Sequence, residues 1–157
     1  MANKLLLVDD NAGFLETLAH HLGGQGYKVL TAHSGLAALN QARASLPDLI
    51  LLAVVLPGLD GLTVCQLLHL QPSTRDIPVI LYTAQRGEAI RADCARVGAT
   101  EFLLQPFSLE TLSERVRRIR PPGLERHGPA VWSAAEGLAG TQWAAASPAL
   151  RASPCSG

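Results

Sequence analysis

Five short runs of apolar residues alternate with longer segments of helical periodicity, and this alternation constrains the fold more than any other feature of the chain. The predicted strands are 5–8, 29–31, 49–56, 79–82 and 102–104. Because these runs are apolar throughout, the strands should be buried on both faces of a sheet. Strands that are separated by helices require right-handed crossovers and therefore run parallel. The sequence predicts an α/β fold with a doubly wound, five-stranded parallel sheet.

Four segments of helical period separate the strands, and a fifth follows the last strand. The first helical segment is the clearest, because its large apolar residues share one face; they are Phe14, Leu15, Leu18 and Leu22. In open parallel sheets a ligand site forms beyond the carboxyl ends of the strands, where the strand order reverses. The residues expected at those ends are Asp9, Asp10, Ala53, Thr83 and Gln105.

Composition and charge exclude several classes of protein. A chain of 157 residues with 48% hydrophobic residues can bury one core, and its 13 basic and 13 acidic residues give no footprint for nucleic acid or an anionic membrane. The cysteines at positions 65, 94 and 155 lack the spacing of a zinc site or a disulfide framework. The first apolar run is too short for a signal peptide or a membrane span. We therefore expect a cytoplasmic protein that binds neither nucleic acid nor membrane.

The amino-acid composition of the chain changes at about residue 121. Residues 121–157 hold five of the 10 prolines and five of the 14 glycines, so this segment cannot easily fold on its own. We expect an irregular tail that is disordered or loosely docked. The alternative is a partner-docking helix, because Trp132 and Trp143 would share one helical face. The predicted domains are therefore 1–120 and the 121–157 tail.

Several short motifs occur in one order and spacing along residues 4–120. They are Leu-Val-Asp-Asp-Asn at 7–11, Pro-Gly-Leu-Asp-Gly at 57–61, Ile-Leu-Tyr-Thr-Ala at 80–84, Gly-Ala-Thr at 98–100 and Gln-Pro-Phe at 105–107. In this combination the chain resembles the receiver domain of bacterial response regulators, the CheY-like family. The resemblance implies a flavodoxin-like (βα)5 fold and a role in two-component or phosphorelay signalling.

The resemblance assigns a role to most of the candidate residues. In that family an acidic pair after the first strand, here Asp9 and Asp10, holds magnesium together with an aspartate after the third strand. That aspartate takes a phosphoryl group from a histidine kinase, and positioning and charge do most of the work of such a transfer. Thr83 matches the hydroxyl that grips the phosphoryl group, and Phe102 matches the aromatic switch residue. Pro106 matches the proline of a cis peptide bond.

Two departures from the family pattern are more informative than the matches. The position of the phosphoacceptor aspartate is Ala53, which has no lone pairs with which to attack phosphorus or ligate a cation. The position of the family's lysine is Gln105, which can donate a hydrogen bond but carries no charge. A lysine beside an alanine would be a partly buried cation short of a partner, so the two losses are physically coupled.

The resemblance and its departures together predict a degenerate receiver, a pseudo-receiver that is not an enzyme and acts by protein contacts. No cofactor is required, and Mg²⁺ would bind only weakly at Asp9 and Asp10. The partner would be a histidine kinase or an output protein that binds between Arg86 and Arg120, a face that relatives also use for homodimers. One alternative is a receiver that is phosphorylated on a substitute nucleophile, Asp10 or Thr83. Another is a fragment of a larger regulator whose output domain is missing.

Overall fold

The computed structural model describes residues 3–120, so the predicted tail at 121–157 lies outside the described residues. Strands and helices alternate strictly along this part of the chain. The strands are β1 (Lys4–Val8), β2 (Lys28–Ala32), β3 (Leu49–Ala53), β4 (Val79–Thr83) and β5 (Glu101–Leu104). The helices are α1 (Ala12–Gly23), α2 (Gly35–Ser45), α3 (Gly61–Leu70), α4 (Glu88–Arg96) and α5 (Leu109–Ile119).

The strands form one parallel sheet in the order β2-β1-β3-β4-β5. Helix α1 contacts α5 on one face of the sheet, and α2 contacts α3 on the other. The predicted doubly wound fold is confirmed. The strand order reverses between β1 and β3, and in open parallel sheets ligands bind beyond the carboxyl ends of the strands at such a reversal.

The core is concentrated in the three central strands. Every residue of β3 and β4 is buried, and so is every residue of β1 except Lys4. Burial of one leucine or isoleucine side chain contributes about 1.5–3 kcal/mol, so these strands supply much of the driving force for folding. None of the helices within residues 3–120 has the length and hydrophobicity of a membrane span.

Strand β3 is shorter than the sequence predicts. The apolar run continues to residue 56, but the strand ends at Ala53. Val54 still donates a backbone hydrogen bond to the Tyr82 carbonyl at 2.9 Å, and its own carbonyl accepts one from Gly61 at 2.8 Å. The chain has therefore turned toward α3 by residue 54, and Val55 is 62% exposed. The prediction failed because apolar composition does not record where a strand leaves the sheet.

Helix α3 begins where the backbone of its first residue packs directly against β3. The missing side chain of Gly61 leaves room for the carbonyl of Ala53, and a Cβ at position 61 would collide with that oxygen. Asp60 caps the helix by accepting a hydrogen bond from the Thr63 amide at 2.8 Å. The glycine and the cap together set the course of the loop that follows Ala53.

We expect Gly61→Ala to lower the free energy of unfolding by about 1–3 kcal/mol, because backbone must move to admit the new methyl group. Gly23→Ala is the matched control: nothing lies within 4 Å of a Cβ added there. That control should be neutral or stabilising by up to about 1 kcal/mol. Urea unfolding of the two variants measures the difference, and equal stabilities would contradict the close approach.

Helix α5 is held against β5 by an ion pair between them. The Glu101 side chain is 3% exposed, and its Oε1 lies 2.8 Å from Nη1 of Arg115. The guanidinium of Arg118 lies 4.0 Å from the second carboxylate oxygen. Burial raises the pKa of Glu101 above its ordinary value, and this effect outweighs the two arginines, which lower it. The folded protein therefore binds a proton at Glu101 more readily than the unfolded chain does.

This raised pKa predicts a pH dependence of stability. Between the unfolded pKa, about 4.3, and the raised folded pKa, the folded state holds more protons, so the Glu101 contribution to stability falls as the pH rises. Glu101→Gln should flatten the stability curve in that window, measured by urea unfolding at a series of pH values. Glu114→Gln is the control, because the Glu114 side chain is 63% exposed. A slope that Glu101→Gln leaves unchanged would refute the assignment.

Candidate functional site

The predicted site residues meet at the carboxyl edge of the sheet. Asp9 directly follows β1, Ala53 ends β3, Thr83 ends β4 and Gln105 directly follows β5. Asp10 lies beside Asp9 but is exposed. The topology therefore gathers at one edge residues that are almost a hundred positions apart in the sequence.

Ala53 is the central residue of this edge. It is 5% exposed and pairs in register with Tyr82 of β4. The acidic residues nearest to it in sequence do not replace the missing carboxylate. Asp48 lies at the opposite end of β3, where its Oδ2 accepts a hydrogen bond from the Lys4 amide at 2.7 Å, and Asp60 caps α3.

Both carboxylate oxygens of Asp9 accept hydrogen bonds. The amide of Asn11 donates to Oδ1 at 2.9 Å, and the phenolic hydroxyl of Tyr82 donates to Oδ2 at 2.5 Å. Asp9 is 8% exposed. Burial, followed by the hydrogen bond and negative charge of Asp9, raises the pKa of Tyr82 well above its ordinary range. The hydroxyl therefore stays protonated and remains a donor to the carboxylate.

Tyr82 is the site residue that the sequence analysis missed. Its ring packs with Phe14 of α1 and Phe107, which follows β5, with centroid distances of 6.0 Å and 5.6 Å. Tyr82 is 1% exposed. A buried tyrosine usually finds a hydrogen-bond partner for its hydroxyl. A tyrosine at the end of an apolar strand was therefore the available signal, although it does not say which partner is bound.

The remaining site residues are held by the backbone around them. Thr83 is 3% exposed, and its hydroxyl oxygen accepts a hydrogen bond from the Gln85 amide at 3.2 Å. The backbone amide of Gln105 donates a hydrogen bond to the Thr83 carbonyl at 2.8 Å. The Gln105–Pro106 peptide bond is cis. Phe102 is half-buried, with the guanidinium carbon of Arg91 6.0 Å from its ring centroid.

The donor set does not fit a magnesium ion held by three carboxylates. Mg²⁺ takes six oxygen ligands at about 2.0–2.1 Å in octahedral geometry. The side chain of Ala53 offers none, both Asp9 oxygens already accept hydrogen bonds within the protein, and Asp10 presents an exposed carboxylate. In the part of the chain that the structure describes, no three acidic, histidine or cysteine side chains are grouped as metal ligands.

Comparison with known proteins identifies the family. Residues 5–117 match the model of the response regulator receiver domain. Response regulator PleD of Caulobacter vibrioides is 42% identical over 119 residues, which are 76% of this chain and 26% of PleD. The chain therefore spans about a quarter of that relative. It belongs to the response regulator receiver domain family, whose members act in two-component signalling.

Solved receiver structures share the fold of residues 3–120. The chemotaxis protein CheY4 of Vibrio cholerae is 29% identical with a TM-score of 0.72, and the match covers 76% of this chain and 99% of CheY4. The receiver domain of a Pseudomonas aeruginosa sensor histidine kinase is 28% identical with a TM-score of 0.70, covering 76% of this chain and 98% of that domain. That domain holds a magnesium ion in its active-site cleft.

Tyr82→Phe tests the hydrogen bond at the centre of the site. Removing the hydroxyl leaves the buried Asp9 carboxylate with one donor fewer, so we expect the free energy of unfolding to fall by about 1.5–3 kcal/mol. The control is Tyr27→Phe, which removes a hydroxyl that donates to the Arg120 carbonyl at 2.8 Å. That bond has an uncharged acceptor, so its loss should cost only about 0.5–1.5 kcal/mol. Urea unfolding at neutral pH compares them, and an equal loss would contradict the charge-assisted bond.

Proposed function

We propose that this chain is a degenerate receiver that signals through protein contacts, without phosphorylation at the family's acceptor position and without an enzymatic activity of its own. The observation that carries the proposal is Ala53, a buried methyl group at the carboxyl end of β3. The uncharged Gln105 after β5 supports it, because the position that would neutralise a phosphoryl group has no positive charge. No cofactor is required for such a role.

The proposed partner is a histidine kinase or an output protein, and the proposed contact surface lies between Arg86 and Arg120. Among residues 3–120, strand β5 is an edge of the sheet, so its outer side faces no other described strand. Arg91 covers the half-buried ring of Phe102 next to this edge. Aromatic and arginine side chains are enriched at protein interfaces. A second copy of the chain could use the same surface.

The rival function is a receiver that is phosphorylated on a substitute nucleophile, either Asp10 or Thr83. Asp10 is exposed and carries a carboxylate that is accessible to a phosphodonor. Thr83 is less suited, since its side chain is buried and its oxygen already accepts a hydrogen bond. The chain also spans only 26% of PleD, so an output domain on a longer protein is compatible with the receiver proposed here.

Exposure to a small-molecule phosphodonor separates the degenerate receiver from its rival. We expect the intact mass of the full chain to stay unchanged after incubation with acetyl phosphate and Mg²⁺, because Ala53 offers no nucleophile. The sample is kept cold and non-acidic to preserve acyl phosphates. A receiver that carries the acceptor aspartate serves as the positive control.

An added phosphoryl group on the wild-type chain would overturn the proposal. The variants Asp10→Asn and Thr83→Ala would then locate the adduct, because only the variant that lacks the nucleophile loses it. Their matched control is Asp60→Asn, which changes a carboxylate outside the site while asparagine can still cap α3.

A further inference from the structure

Tyr82 reaches across a whole strand to bind Asp9. Its Cα lies on β4, Asp9 follows β1, and β3 runs between those two strands. Residues that pair in register on neighbouring strands point to the same face of a sheet, so Tyr82 and Ala53 share a face. To place its hydroxyl 2.5 Å from Asp9, the Tyr82 side chain must pass over residue 53.

The small side chain at position 53 makes this path available. Neighbouring strands lie about 4.8 Å apart, so the backbones at Asp9 and Tyr82, on either side of β3, are separated by two such spacings. A methyl group leaves that space to the tyrosine ring, which Phe14 and Phe107 hold on its other sides. A carboxylate at position 53 would point into the same space and would lie next to Asp9.

The same contact changes the electrostatics of Asp9. A buried carboxylate is costly unless charge or hydrogen bonds compensate it. At Asp9 the compensation comes from two neutral donors, the Asn11 amide and the Tyr82 hydroxyl. These two donors compensate the buried carboxylate from within the protein, and a cation that bound Oδ2 would compete with the tyrosine hydroxyl for that oxygen.

We propose that Tyr82 opposes the binding of divalent cations at this site, with its ring over Ala53 and its hydroxyl on Asp9 Oδ2. The inference rests on the proposed function in one respect, which is that the chain works without the magnesium-dependent phosphoryl transfer of its family. Position 82 then acts at the same site as positions 53 and 105. Restoring the two family residues alone would add a carboxylate near the exposed Asp10 but would leave Tyr82 in competition with the cation.

Magnesium binding to reconstructed sites tests the inference. The full chain is prepared as Ala53→Asp/Gln105→Lys and as the same double variant with Tyr82→Leu, and each is titrated with Mg²⁺ by isothermal calorimetry. We expect the triple variant to bind Mg²⁺ at least about tenfold more tightly, because the cation no longer competes with a hydrogen bond to a charged oxygen. Equal affinities of the two proteins would overturn the proposal.

Two further variants in the double background separate the ring from the hydroxyl and guard against misfolding. With Tyr82→Phe, any gain in affinity supports the part played by the hydroxyl. If neither Tyr82→Phe nor Tyr82→Leu raises the Mg²⁺ affinity, the proposal is overturned. Tyr27→Phe removes the other phenol of residues 3–120, which donates to Arg120, and should leave the affinity unchanged. A comparable gain from Tyr27→Phe would also overturn the proposal, because the effect would not be specific to Asp9.

The readout is independent of phosphorylation, so the two proposals can fail separately. The titrations contain no phosphodonor, and circular dichroism of each variant establishes that it is folded. A phosphoryl adduct on the wild-type chain would refute the degenerate receiver. An unchanged Mg²⁺ affinity would refute only the role of Tyr82.

Discussion

Burial of β1, β3 and β4 on both faces is the constraint on which the rest of this structure depends. A strand that is packed between helices on either side cannot carry a charged side chain along its length without a large desolvation cost. Polar groups can therefore enter the centre of the sheet only where the strands end. The reversal of strand order between β1 and β3 brings those ends together. Ala53, at the end of β3, lies between the ends of β1 and β4.

Most of the fold could be read from the sequence, because each central strand is a continuous apolar run and the first helix shows its apolar face clearly. The prediction failed at the end of β3, which was extended to residue 56 although the strand stops at Ala53. The residues that follow are still apolar, and Leu56 is buried although it lies outside the strand. Hydrophobicity records burial, whereas hydrogen bonds to the neighbouring strand decide where a strand ends.

The sequence predicted which residues lie at the site but not the hydrogen bond that joins two of its side chains. The rule that ligand sites form at the carboxyl ends of parallel strands placed Asp9, Ala53, Thr83 and Gln105 at one edge, and each does stand at or next to the end of a strand. It gave no reason to examine Tyr82, because an aromatic residue in an apolar strand fits a core position equally well. Its hydrogen bond to Asp9 joins residues 73 positions apart and crosses an intervening strand. Such a contact depends on three strands at once, and the pattern of any single strand does not reveal it.

The packing of Gly61 against β3 has a consequence for how such a protein can change over time. The contact is made with the main-chain carbonyl of Ala53, which every amino acid at that position would supply. The course of the loop therefore does not depend on the side chain at position 53. The backbone that frames this site can be kept while the residue at its centre varies.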